Sequence, residues 1–171
     1  MALETIAREH VVRGVPPRAL YDIVTDYACY PRIFPEFTGV RVVAEDGPMK
    51  RVEFRARVVV EVRYTIDIIH GDIHGHGHGH GHGHGHGHGQ DPEKLSTRWT
   101  FVSGEVVSDS AGGWDFAGEK DTLIRYHAGI AIRAPLPKLI INKVSNALMG
   151  TSIPNMFRAL EREALARAQY R

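Results

Sequence analysis

Between Val52 and Ile68 the chain alternates almost cleanly. Val52, Phe54, Ala56, Val58, Val60, Val62, Tyr64, Ile66 and Ile68 share one parity. Arg51, Glu53, Arg55, Arg57, Glu61, Arg63, Thr65 and Asp67 share the other. A period of two sends the two sets to opposite faces of a strand. An apolar face backed by a charged one marks an antiparallel sheet that is wet on one side. The stretch exceeds an ordinary strand, so a tight hairpin near Val59–Glu61 that preserves the parity is expected. The rest of the chain must then cover the apolar face.

Residues 3–13 form a first strand by the same signal, ended by Gly14, Pro16 and Pro17. Pro17 suits the first position of a helix. Leu20, Ile23, Val24 and Tyr27 follow at i, i+3, i+4 and i+7, one face of that helix. The prolines of Asp26–Pro35 allow only a short second helix. Residues 39–45 make a strand closed by the Asp46-Gly47-Pro48 turn. Later strands are expected over Ser96–Val102, Glu105–Ser110 and Thr122–Ile132. Ala111-Gly112-Gly113 is expected to turn the chain, with Trp114–Ala117 returning. Pro135 and Pro137 end the sheet. From Lys138 to Ala168, Ile141, Val144, Leu148, Phe157, Leu160, Ala164 and Ala168 keep a helical period, with Gly150 and Pro154 expected to kink it.

The expected architecture is α+β: a curved antiparallel sheet of about six to seven strands, two short helices after strand 1, and a long C-terminal helix in the sheet's grip. At 171 residues and 19.0 kDa this is one domain. Lys and Arg number 21 and Asp and Glu 20, a balance that argues against a nucleic-acid binder. No window approaches the apolar length of a membrane span, so no stable membrane insertion is expected. The N-terminus lacks a charged-then-apolar leader, and the single Cys29 excludes an internal disulfide framework; a cytoplasmic location is expected.

Residues 74–89 are His-Gly repeated eight times. The run has no apolar face, and glycine at every second position makes order entropically costly. It reads as a flexible loop inserted in the domain. Its imidazoles, His74, His76, His78, His80, His82, His84, His86 and His88, suit nickel, zinc or copper. That binding is expected to be opportunistic, because a built metal site mixes ligand types and orients them through further partners. No cofactor is required.

Four pieces of the chain resemble one superfamily. Leu20–Pro35 (LYDIVTDYACYPRIFP) resembles an early helix followed by Asp, an aromatic, Tyr-Pro and a further aromatic-Pro. Trp99 with Ser103-Gly104 resembles a tryptophan strand and its turn. Gly112-Gly113-Trp114 resembles a glycine-tryptophan hairpin. Tyr126–Pro137 resembles the last strand and the Leu-Pro that launches the long helix. Together they are similar to the START-like, or SRPBCC, helix-grip superfamily, which includes the pollen-allergen fold. Within it the likeness is to the bacterial polyketide cyclase/dehydrase and coenzyme Q-binding groups. The resemblance implies binding of a lipid, quinone or polyketide-like molecule between sheet and helix. It also keeps open a polyketide aromatase/cyclase, and a ribosome- or protein-interaction module without ligand.

The candidate ligand-binding residues are the large side chains of the presumed inner face and the covering helix. They are Phe54, Val58, Tyr64, Trp99, Phe101, Trp114, Tyr126, Ile130, Leu148, Met149, Met156 and Phe157. Aromatics with flexible methionines suit an adaptable apolar pocket. The polar candidates are Tyr64 and Tyr126, whose parity directs their phenols inward. Arg98, Arg125 and His127 alternate outward. The row Arg51, Arg55, Arg57 and Arg63 is interleaved with Glu53 and Glu61, so it reads as a charge-mixed wet face. Cys29 has no evident base beside it. The C-terminal helix and Asp26–Pro35 are expected to form the gate.

Overall fold

The computed structural model describes residues 4–57, 60–72, 93–133, 137–146 and 152–169. Seven strands form one antiparallel sheet: β1 (Glu4–Val12), β2 (Phe37–Asp46), β3 (Met49–Arg57), β4 (Glu61–Asp72), β5 (Glu93–Gly104), β6 (Val107–Gly118) and β7 (Thr122–Ile132). Their order across the sheet is β1-β7-β6-β5-β4-β3-β2. The chain leaves β1 at one edge and crosses through α1 (Pro17–Val24), a 3-10 turn (Tyr27–Cys29) and α2 (Tyr30–Ile33). It starts again at the far edge with β2 and meanders back until β7 pairs with β1. Two further helices follow, α3 (Lys138–Asn146) and α4 (Ser152–Gln169). This is the helix-grip arrangement expected from the alternation and the terminal helical period.

The parity reading holds on both sides of the β3–β4 hairpin. Val52, Phe54, Ala56, Val62, Ile66 and Ile68 are buried. On the outer face Arg51 lies directly opposite Asp67 and forks onto its carboxylate at 2.7 and 2.8 Å. Arg98 reaches Asp115 at 2.6 Å, and Arg125 reaches Glu9 at 2.7 Å. These three arginines thus meet acids across the strands, whereas Arg55 stands opposite Arg63.

Residues 111–113 do not turn the chain, contrary to the expectation from Ala111-Gly112-Gly113. β6 runs straight through them, and the reversal lies at residues 105–106. The glycines clear space for side chains of the neighbouring strand. A Cβ on Gly112 would overlap the Trp99 ring and the His127 carbonyl oxygen. A Cβ on Gly113 would meet Arg98 Nη1 at 2.7 Å. Trp99 therefore lies flat across the sheet at Gly112 and extends its Nε1–H to Ser110 Oγ at 3.2 Å.

In α4 the buried stripe is Ile153, Phe157, Leu160 and Ala164, at helical spacing. Ala168 is exposed, because the helix runs past the edge of what it covers. Pro154 sits in the first turn of α4, where a missing N–H leaves no hydrogen bond unmade, so it does not kink a helix interior. Gly150 lies outside the described residues.

Charge fastens α4 to α2. Arg32 donates two bonds to Glu163, at 2.7 and 2.9 Å. Arg167 donates to Glu163 at 2.8 Å and to Asp26 at 3.1 Å. Arg32 and then Arg167 pull the Glu163 carboxyl down to about 2, from an ordinary 4.5. Cys29 Sγ–H donates to Asp26 at 2.9 Å, and this bond together with Arg167 lowers the Asp26 pKa. Cys29 thus does have a carboxylate beside it, which the linear sequence did not show.

Two outcomes follow. Gly112→Ala should destabilise the fold by about 3 kcal/mol, because backbone on one side and an indole on the other block the methyl. Gly47→Ala, at a turn with φ 54° and open space, should cost only about 1–2 kcal/mol; equal losses in chemical denaturation would contradict the packing account. Second, the Glu163 clasp stabilises the fold fully above pH 4.5 and is lost as pH falls toward 2. Glu163→Gln should lower Tm by several degrees at pH 7 and flatten its fall across that acid window. Superimposable pH curves would contradict the clasp.

Candidate functional site

The sheet's concave face, α1, α2 and α4 do not fill the space they enclose. A cavity of about 150 Å³ remains between them, lined mostly by apolar atoms. Its floor comes from β3 and β4 (Phe54, Ala56, Tyr64, Ile66, Ile68) and from β5 to β7 (Thr97, Trp99, Ser110, Trp114, Tyr126, Ala128, Gly129, Ile130). Its roof comes from Val24, Tyr27, Tyr30, Phe34 and Phe37 on one side, and from Ser152, Ile153 and Met156 of α4 on the other. Such a volume takes about one benzene-sized ring.

Two aromatic groups wall the chamber. At the α2 side Tyr30 packs on Phe54 at 5.7 Å, and Phe54 stacks on Tyr64 at 5.5 Å between centroids. Under α4, Trp114 lies 4.6 Å from Tyr126, and Trp99 lies 5.9 Å from it. Rigid rings on both sides keep the space from collapsing.

The polar groups differ in what they do. Tyr30 donates its hydroxyl to the Val24 carbonyl at 2.8 Å and is spent on holding α2. Tyr27 and His70 share a hydrogen bond of 2.8 Å. Burial, helped by Lys50, lowers the His70 pKa and keeps that ring neutral. The phenols of Tyr64 and Tyr126 have no hydrogen-bond partner among the described residues, yet neither is a fully buried orphan. Each side chain stays partly accessible because it faces the cavity. Burial pushes both phenols well above the ordinary tyrosine value of 10.0, so they remain neutral donors.

Of the residues expected from sequence, Phe54, Tyr64, Trp99, Trp114, Tyr126, Ile130 and Met156 line this cavity. Phe101 does not. It stands opposite Ile66 near the end of β5, with its ring beside Gly104. Phe157 does not either. It is buried behind the lining, stacked on His10 at 5.2 Å and edge-on to Trp114 at 6.1 Å. Val58, Leu148, Met149 and the histidines from His74 to His88 lie outside the described residues. Among the described residues no group of three His, Cys, Asp or Glu side chains could hold a metal ion. The sequence reading left out Tyr27, Tyr30, Phe34 and Phe37 as lining residues. They lie on the 3-10 turn, α2, the residue after it and the start of β2, so no single period marks them; the available signal is the run of aromatics in and just after Asp26–Pro35.

A second space of about 290 Å³ adjoins the first. It shares Phe34, Glu36 and Met156 with the chamber and adds Ile33, Pro35, Asn155, Arg158, Ala159 and Arg162. It lies between the Asp26–Pro35 segment and α4, the pair expected to form the gate.

The family model described as polyketide cyclase / dehydrase and lipid transport matches residues 14–157. No curated protein matches the chain in sequence. Among solved structures, a protein of Thermus thermophilus superposes with a TM-score of 0.72 at 18% identity, over 96% of this chain and 99% of that one. The Zhui aromatase/cyclase of Streptomyces sp. R1128 gives 0.70 at 13% identity, over 98% and 96%. A STAR-related lipid transfer protein from Xanthomonas axonopodis gives 0.66 at 9% identity, over 94% and 85%. At these identities the likeness is one of fold.

The burial of the two cavity phenols has a spectroscopic consequence. In an alkaline absorbance titration Tyr64 and Tyr126 should ionise late, well above pH 10. Tyr64→Phe and Tyr126→Phe should each remove amplitude only from that late phase. Amplitude lost near pH 10 would mean that the phenol is bathed in water.

Proposed function

Because the chain belongs to the polyketide cyclase/dehydrase and lipid transport family, we propose that it is a carrier or sensor of an apolar small molecule that bears a ring-sized portion and a hydrogen-bond acceptor such as a carbonyl. One observation carries this reading: a walled apolar chamber into which two neutral phenols, Tyr64 and Tyr126, project with no hydrogen-bond partner among the described residues. Burying the ligand's carbon skeleton drives binding, at roughly 0.8 kcal/mol per methylene. The two phenols select an acceptor and set its orientation, because an unsatisfied acceptor in this chamber would be penalised.

The alternative within the same family is a cyclase that folds a reactive polyketone. Such chemistry needs a group that takes up and returns protons near neutral pH. The cavity phenols are held neutral far above that range. His70 is engaged by Tyr27, and the carboxylate nearest the chamber, Glu36, stands where it meets the outer space. These features support binding over catalysis. Among the described residues no helix is long and apolar enough to cross a membrane.

The experiment is a matched-pair titration read by fluorescence of Trp99 and Trp114. 2-Acetonaphthone should bind more tightly than 2-ethylnaphthalene, which has the same skeleton without the acceptor. Tyr64→Phe and Tyr126→Phe should each weaken the ketone roughly fivefold, as expected for one neutral hydrogen bond, and leave the hydrocarbon unchanged. If neither compound binds, and solvent extraction of the purified protein yields no apolar molecule, the reading fails.

A further inference from the structure

The chamber alone is smaller than the roughly 300–1,000 Å³ of a usual small-molecule site, whereas the chamber and the adjoining outer space together reach that range. A ligand that uses the fold fully must therefore occupy both. The two compartments differ in chemistry. The inner one is walled by rings and aliphatic side chains; the outer one carries two guanidinium groups, an amide and one carboxylate.

The arginines of the outer space stand apart from their neighbours. On the same helix Arg167 is matched to Glu163 and Asp26, and on α2 Arg32 is matched to Glu163. Among the described residues Arg158 donates only to neutral oxygens, the Pro154 carbonyl at 3.3 Å and Asn155 Oδ1 at 2.8 Å. Arg162 has no carboxylate in salt-bridge range among the described residues. The two stand four apart on one face of α4, a like-charge pair that costs the helix stability. The same helix places the favourable Glu163–Arg167 pair at that spacing on another face. Glu36 faces them across the opening and offsets one charge of two.

We propose that the outer space is an anion subsite: Arg158 and Arg162 hold the carboxylate or phosphate end of an amphiphile whose apolar body enters the chamber past Phe34 and Met156. The inference rests on the chamber being a ligand site and adds the class of ligand, an acid or phosphate ester instead of a neutral lipid or hydrocarbon. Asn155 keeps the Arg158 fork in place, and Glu36 limits affinity so that the anion can leave.

The test compares 6-phenylhexanoate, 6-phenylhexyl phosphate and 6-phenylhexan-1-ol by calorimetry at low salt on the full chain. Both anions should bind about tenfold more tightly than the alcohol, and the gap should shrink as salt rises, because the arginines are exposed. Arg158→Gln with Arg162→Gln should erase the gap and leave the alcohol unchanged; both positions are exposed, so folding is spared. Glu36→Gln should widen it. Tighter binding of the phosphate ester points to a lipid headgroup, and tighter binding of the carboxylate to a free acid; either supports the subsite. Acid and alcohol binding equally, a gap that survives the double substitution, or inorganic phosphate competing as well as the amphiphile would each overturn it. If the alcohol binds and the acid gains nothing, the subsite fails while the chamber stands. If none of the three binds, the chamber reading fails with it.

Discussion

One geometric mismatch governs this molecule. Seven strands at their normal spacing present a face roughly 30 Å wide. A single helix with its side chains covers only about 10–12 Å of it. α4 lies over β1, β7 and β6, where Phe157 meets His10, Tyr126 and Trp114, and α1 with α2 occupies another part. Large rings at the borders, Phe54 and Tyr64 on one side and Trp99, Trp114 and Tyr126 on the other, are too stiff to fold into the remainder. The void is a consequence of how much sheet the sequence makes and how little helix it has to cover it.

That mismatch explains why the helices are tied to each other as well as to the sheet. A helix resting on an incomplete core loses packing energy, and the Arg32–Glu163–Arg167–Asp26 network supplies directional bonds at the point where α2 meets α4. The network lies beside the opening and leaves Arg158 and Arg162 outside it. Structural charge and unmatched charge are therefore segregated on neighbouring turns of one helix.

Much of this was legible in the residues. The alternation through Val52–Ile68 and Thr122–Ile132 assigned inward and outward faces correctly, down to Tyr64 and Tyr126 facing in and Arg125 and His127 facing out. Local patterns failed where their cause is non-local. Gly112 and Gly113 read as a turn by composition; their reason is the Trp99 ring and the Arg98 side chain crossing from β5. Phe101 shares the facing of its partner Ile66 yet does not line the cavity, and Phe157 on α4 sits in a second layer of rings against His10 and Trp114. The Asp26–Cys29 contact and the Glu163 clasp join segments that no spacing rule brings together.

The central claim is that the space between sheet and α4 is open and apolar. Xenon under pressure tests it most directly, since it enters dry apolar cavities of this size without needing a specific ligand. A xenon-pressurised crystal should show a site among Tyr64, Trp99, Tyr126 and Met156 with little movement of the surrounding rings. A structure in which no xenon binds there, and those side chains meet in van der Waals contact, would contradict the account.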